Sequence, residues 1–180
     1  VDDFFDMNAL LVEATDLFPK GSVQIQGMKV FSGAKVDEVL LDAASLVQHA
    51  DSMLQSAFAE MIPDRESLRS VEEYVCEDGQ GLCGWIANRR VLLGGREMMA
   101  SHSVEGLPTK TREAELAEGS GDVIYLSVSG VLSAMFSIRI LPDPGVLRQM
   151  RALKQEQIAL VIRTVDHAVT LRRLSSLFDY

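Results

Sequence analysis

One stretch limits the possible folds of this chain more than any other. It runs Gly79-Gln80-Gly81-Leu82-Cys83-Gly84-Trp85-Ile86-Ala87-Asn88-Arg89-Arg90-Val91-Leu92-Leu93-Gly94-Gly95. It reads as a glycine-rich edge, two short apolar strands flanking a polar turn at Asn88-Arg89, and a glycine pair ahead of a helix. Glycines let a backbone approach a ligand closely and expose its N–H groups. The same spacing also serves turns and bulges beside a sheet.

The rest of the chain supplies a core and few alternatives. Its 180 residues, 47% of them hydrophobic, are enough for one ordinary domain or a domain with part of a second. A net charge of −9 argues against general binding to nucleic acid or to an acidic membrane. No apolar run reaches the roughly 20 residues of a membrane span, and no signal peptide is visible. Cys76 and Cys83 are too few for a disulfide framework and suit a reducing, cytoplasmic setting. The chain lacks an initiator Met and ends on an expected helix, so it reads as an excised fragment.

Ala9–Val12 is expected to be a buried strand, and Val23–Gln26 alternates as a half-buried one, extended by Lys29–Phe31 after Gly27. Apolar residues recur at helical spacing from Val36 to Ala50, with Asp37 and Glu38 suited to the first turn. A second helix is expected over Met53–Met61, a strand over Ser70–Glu77, and helices over Arg96–Ser101 and Thr111–Glu118. Val123–Val128 and Val131–Ile140 form a hairpin about Ser129-Gly130. After Pro142-Asp143-Pro144-Gly145 the pattern becomes helix (Val146–Lys154), buried strand (Ile158–Ile162) and helix (Ala168–Phe178), as in a parallel α/β unit. The fold class is therefore α/β (α+β): a central antiparallel sheet with flanking helices, inserted in part of a parallel α/β domain.

The order of these features resembles the nucleotide-binding domain of heavy-metal-transporting P-type ATPases, set between pieces of the HAD-like phosphorylation domain. Gly79, Gly81 and Gly84 resemble the family's glycine-rich nucleotide loop, and Gly94-Gly95 its Gly-Asn pair. Ala43-Ala44-Ser45-Leu46 resembles the helix before the Ser-Glu-His-Pro motif, whose His and Pro then fall on Ser52 and Met53. Glu13-Ala14-Thr15 through Gly21 resembles the phosphorylation motif, with Glu13 at the phosphorylated Asp and Ala14 at the Lys. Leu141-Pro142-Asp143-Pro144 resembles the hinge Asp-Pro, and Thr164-Val165-Asp166-His167 resembles Thr-Gly-Asp-Asn. The distal magnesium loop and all membrane helices of the family are absent from this sequence.

The resemblance implies residues 1–21 and 141–180 as phosphorylation-domain segments and 22–140 as the nucleotide-binding domain. It implies ATP and Mg²⁺ as ligands. The nucleotide would be held by Gly79, Gly81, Gly84, Gly94, Gly95 and Ser52, and Glu13, Thr15, Thr164 and Asp166 would stand at the catalytic positions. The implied setting is the cytoplasmic region of a membrane protein, partnered by its remaining domains and membrane helices. The loss of Asp at 13 and Lys at 14, with the distal magnesium loop missing, predicts an inactive isolated chain, and the loss of His at 52 predicts weak nucleotide binding. Two alternatives remain, a non-catalytic nucleotide-binding or regulatory module and a structural interaction domain. His49, His102 and His167 have no metal-ligand spacing, Met98-Met99 reads as core, and Glu113, Glu115 and Glu118 read as a solvated helix face.

Overall fold

Val23 lies directly opposite Ile140, so the chain enters and leaves its main sheet side by side. The computed structural model describes residues 9–13, 23–31, 33–50, 52, 54–62, 67–77, 80–119, 122–141, 143–156 and 159–163. Six strands, β2 (Val23–Val30), β3 (Glu72–Glu77), β4 (Gly81–Ile86), β5 (Arg89–Gly94), β6 (Asp122–Val128) and β7 (Val131–Ile140), form one antiparallel sheet in the order β2-β7-β6-β5-β4-β3. Two further strands, β1 (Ala9–Glu13) and β8 (Ala159–Arg163), form a separate parallel pair with Leu10 opposite Leu160 and Glu13 opposite Arg163. The parallel pairing of Leu10–Val12 with the strand near 158–162 is the arrangement that the sequence leads one to expect.

Helices cover both faces of the main sheet. On one face α1 (Val36–His49) buries Val39, Ala43, Leu46 and Val47 against Leu82, Ile86, Val91 and Leu93. The short α2 (Gln55–Ala59) adds Phe58, whose ring meets Phe136 edge-on at 5.0 Å, an arrangement favoured by the ring quadrupoles. The helix α5 (Pro144–Gln155) contributes Met150 to the same cluster. Asp143 caps α5, accepting hydrogen bonds from the N–H groups of Gly145 (2.9 Å) and Val146 (3.1 Å), and Pro144 sits where a missing N–H costs nothing. On the other face α3 (Arg96–Ser101) buries Met98 and Met99 beside Cys83, Leu92 and Tyr125, so the Met pair is core. Cys76 packs with the first cluster and Cys83 belongs to the second, which places the two thiols on opposite faces.

Turn chemistry sets the register. Ala87 (φ 50°) and Asn88 (φ 62°) form the β4–β5 turn, and Ser129 (φ 52°) and Gly130 (φ 79°) the β6–β7 turn, both with two residues in the left-handed region. The first turn lies one residue earlier than the Asn88-Arg89 expected. Arg89 thereby joins the ladder opposite Ile86, and Leu82, Ile86, Val91 and Leu93 share the α1 face. The β2 strand is continuous, with its irregularity between Ile25 and Gly27. The helices Val36–His49 and Lys110–Ala117, the latter α4, begin and end within a residue of expectation. The expected helix at Ala168–Phe178 lies outside the described residues.

Two charged clusters fasten distant segments. Asp42 of α1 is 1% exposed and accepts from Arg69 (3.1 Å) and Arg89 (2.9 Å), while Arg69 also reaches Glu38 at 2.8 Å. This joins α1 to the segment before β3 and to the β4–β5 turn. Glu113 of α4 is no solvated side chain. Its Oε1 accepts from the Tyr125 hydroxyl at 2.5 Å and from Arg96 Nε at 3.2 Å, and Arg96 also donates to the Pro108 carbonyl. Burial, reinforced by Glu113, pushes the Tyr125 phenol well up. Glu115 and Glu118 remain on the surface, paired with Arg112 and Lys29.

Removing the buried Asp42 carboxylate should be costly but not extreme, because its arginines are about one-third exposed and rehydrate. Asp42→Ala is expected to lose about 1–3 kcal/mol in urea unfolding. Its pH dependence has an unusual sign. Burial pushes the Asp42 carboxyl up, with Arg89 and Arg69 pulling against it, whereas the Arg69 hydrogen bond holds Glu38 down. A raised carboxyl contributes stability that is fully present below the unfolded value of about 4 and is lost as pH rises through the folded value. A lowered one contributes stability that is present above about 4.3 and is lost as pH falls. From pH 6 to 4 the stability advantage of wild type over Asp42→Asn should therefore grow, and that over Glu38→Gln should shrink.

Candidate functional site

Gly81, Gly84 and Gly94 of the sequence motif lie in strands. Gly81 opens β4 and Gly94 closes β5 directly opposite it, and Gly95 N–H donates to the Gln80 carbonyl at 3.0 Å. Gln80, Gly81, Gly94 and Gly95 thus form one corner of the sheet, from which α3 departs. A Cβ on Gly81 would stand 2.4 Å from the Leu93 carbonyl oxygen and 2.7 Å from Met98 Sδ. A Cβ on Gly94 would stand 2.4 Å from the Gln80 carbonyl oxygen and 2.6 Å from the same sulfur. Both missing side chains are required by the close approach of β4 to β5 under Met98. At Gly84, on the α1 face, the Cβ position faces Val71 Cγ1 at 2.5 Å and Leu46 Cδ1 at 3.3 Å. The chain's own packing accounts for all three glycines, so their spacing does not by itself require a ligand.

Ser52, at the position resembling the motif His, is 2% exposed at the corner between α1 and α2. Its N–H donates to Val47, its carbonyl accepts from Gln55, and its hydroxyl accepts from Leu54 N–H at 3.1 Å. The hydroxyl fastens the corner. Glu13 is the last residue of β1, beside Arg163 in the parallel pair. Thr15, Gly79, Thr164 and Asp166 lie outside the described residues. The structure therefore brings together Gly81, Gly94 and Gly95, and sets Gly84 under Leu46.

Neither His49, which lacks metal-ligand spacing, nor Tyr74 is marked by the sequence. The exposed His49 ring, at the last residue of α1, meets the half-buried Tyr74 ring with centroids 5.0 Å apart at 57°. Glu73 and Tyr74 together oppose Gly84, since β3 carries a register shift between its Glu72–Trp85 and Val75–Cys83 pairs. Leu46 and His49, one helical turn apart, thus cover Gly84 and Tyr74 in succession. No single local signal in the sequence reports this pair, because residues 50–73 separate its members.

A second arrangement holds the exit of β3. Glu77 Oε1 lies 2.6 Å from His102 Nε2, and Arg90 approaches His102 Nδ1 at 3.4 Å. A guanidinium only donates, so Nδ1 accepts and Nε2–H donates to Glu77. Among the described residues no cluster of three or more His, Cys, Asp or Glu is placed to hold a metal ion, and no helix is long and apolar enough to cross a membrane.

A six-stranded antiparallel sheet flanked by helices in this order defines a class: the fold is that of the nucleotide-binding domain of P-type ATPases. The crystal structure of the N-domain of HMA6, a copper-transporting P-type ATPase, matches over 66% of this chain and 100% of its own, at 19% identity and a TM-score of 0.53. The catalytic domain of the CPx-ATPase CopB-B matches over 99% of this chain and 62% of its own, at 15% identity and a TM-score of 0.52. The crystal structure of a zinc-transporting PIB-type ATPase matches over 94% of this chain and 27% of its own, at 16% identity and a TM-score of 0.52.

In sequence the chain is 22% identical over 172 residues to Copper-transporting ATPase 2 of Rhizobium meliloti (strain 1021). That match covers 94% of this chain and 21% of the relative, so the chain spans about a fifth of the curated protein it resembles. No protein-family model matches the sequence. The chain is thus similar in fold and sequence to the nucleotide-binding domain of heavy-metal P-type ATPases, as the motif order implied.

Because Gly81 and Gly94 serve packing, Gly81→Ala and Gly94→Ala should each destabilise the chain by about 1–3 kcal/mol without nucleotide, read from urea unfolding. Gly84→Ala should cost less, since the atoms in its way are side-chain methyl groups.

Proposed function

We propose that this chain is the cytosolic nucleotide-binding region of a P-type cation-transporting ATPase-like membrane protein. In this reading residues 22–140 bind ATP, and residues 1–21 and 141–180 are flanking segments of a phosphorylation domain. One observation carries most of the weight. The sheet begins and ends at the Val23–Ile140 pair, between two strands that pair in parallel, which is the geometry that an inserted domain needs. The likeness to copper- and zinc-transporting ATPases supports the same reading.

The nucleotide is assigned to the α1 side of the sheet, near Ser52, Gly84 and the Gly81–Gly94–Gly95 corner, with Gly79 in the adjoining loop. In an active parent a carboxylate at position 13 would attack the γ-phosphate of ATP and form an acyl phosphate. Magnesium would neutralise charge on the transferring group, and Thr164 and Asp166 are the residues assigned to it. This chain departs at the reacting position. Glu13 is one methylene longer than Asp, a displacement of about 1 Å that can cost on the order of 100-fold in rate. Ala14 supplies no cation. These two residues, with Ser52 turned into a structural corner, favour a second reading: a module that keeps nucleotide binding and has lost phosphoryl transfer.

Titration of the chain with ATP should shift the backbone amides of Gly81, Gly84, Gly94 and Gly95 saturably, with weak affinity. Saturable shifts confined to another face would overturn the site, and no binding at millimolar ATP would overturn the reading. Phosphate release from Mg-ATP should not exceed that of Glu13→Ala. Robust turnover abolished by Glu13→Ala would show that the carboxylate at 13 is competent.

A further inference from the structure

Within the nucleotide-binding reading, the residues taken from the sequence leave one requirement unmet. A nucleobase needs an apolar or aromatic face, and none of the described candidates provides one. Ser52 is buried and its hydroxyl is engaged with Leu54 N–H. The Cβ positions of Gly81 and Gly94 are taken by strand backbone and Met98, and that of Gly84 by Val71 and Leu46.

The same face carries an aromatic pair at the rim of the α1–sheet contact. His49 ends α1, three residues before Ser52, and its exposed imidazole rests on Tyr74 with ring centroids 5.0 Å apart and planes at 57°. Tyr74 joins the α1-side cluster along with Cys76, while its neighbours Glu72, Glu73 and Val75 are exposed. At 57° the rings are tilted, so a base does not slip between them. The outer face of the imidazole is the surface on offer, with the phenol fixing its orientation from behind. Trp85, the other exposed aromatic of this region at 39%, is adjacent to Gly84 in β4 and so points to the opposite face.

We propose that His49, held by Tyr74, is the wall on which a purine base stacks in this chain. A flat π-surface accepts any base, and the larger purine gains more contact area. Glu73, exposed beside Tyr74 at the irregularity of β3, sets one carboxylate next to the pair. Negative charge there favours the uncharged base over the phosphates, so the phosphate end of the ligand is directed away from β3.

The test uses the full chain labelled with ¹⁵N-histidine, with the His49 ring assigned by its loss in His49→Gln. Adenosine and ATP should each shift the His49 ring resonances saturably, and tripolyphosphate should leave them in place. His49→Ala and Tyr74→Leu should each weaken adenosine binding about tenfold, the loss of one stacked base contact. Tyr74→Phe, which keeps the ring, should stay within about twofold. Saturable ATP binding with His49 unmoved, or with Trp85 moved in its place, overturns this assignment and leaves the nucleotide reading standing. An equal shift with tripolyphosphate assigns the contact to phosphate and overturns it as well. Absence of any saturable ATP binding defeats both.

Discussion

Two parallel strands cannot be joined by a tight turn; the chain must travel away and come back before it can pair. Here residues 14–158 make that journey between β1 and β8, and the six strands of the second sheet lie among them. Such an excursion is compatible with parallel pairing only if it ends near where it began. Pairing of β2 with β7, with Val23 opposite Ile140, meets that condition. The order β2-β7-β6-β5-β4-β3 then follows by steps between sequence neighbours from β7 outward, with α3 and α4 between β5 and β6, once α1 and α2 have carried the chain from β2 to the far edge. That far edge, at β3 and β4, is where the motif glycines and the His49–Tyr74 pair lie.

The position of α1 is set by both apolar and ionic contacts. Leu46 and Val47 are fully buried against the sheet, and Leu46 fills the space that Gly84 leaves open. Asp42, one turn earlier, is held by arginines from the segment before β3 and from the β4–β5 turn. The helix end carrying His49 and leading to Ser52 is consequently fixed with respect to β3 and β4. On the other face Met98 seals the Gly81–Gly94 corner, and Glu113 with Arg96 and Tyr125 ties α4 to α3 and β6. In the proposed reading phosphoryl transfer would need a second domain, and the two residues that weigh against it there, Glu13 and Ala14, belong to the N-terminal flank and not to the sheet.

Much of this architecture was readable from local signals. Ser129-Gly130 between two β-branched runs specifies a hairpin, and the spacing from Val36 to Val47 specifies one helical face. The parallel partners Leu10–Val12 and Leu160–Ile162 are short apolar runs of the kind that buried parallel strands use. The features missed or misread depend on partners remote in sequence. Asp42 is buried because Arg69 and Arg89 reach it. Glu113 leaves solvent because Tyr125 and Arg96 meet it. Ala87 takes a left-handed turn position because Ile86 pairs with Arg89 across a two-residue turn. The glycines were legible as close approaches, but the sequence does not say that the approaching atoms are the chain's own Leu93, Gln80 and Met98. Glu13 closes β1, one residue beyond the expected strand. Thr15, Gly79, Thr164 and Asp166 fall outside the described residues.

The central claim is that a self-contained sheet domain is inserted between two strands of another unit. Native-state hydrogen exchange across a denaturant series tests it most directly, since each cooperative unit opens at its own free energy. Amides of β2 and β4–β7 should merge into one most-protected group, and those of β1 and β8 should open together as a second, less stable group. Exchange of β1 and β8 in step with the six-stranded sheet, or independently of each other, would contradict the account.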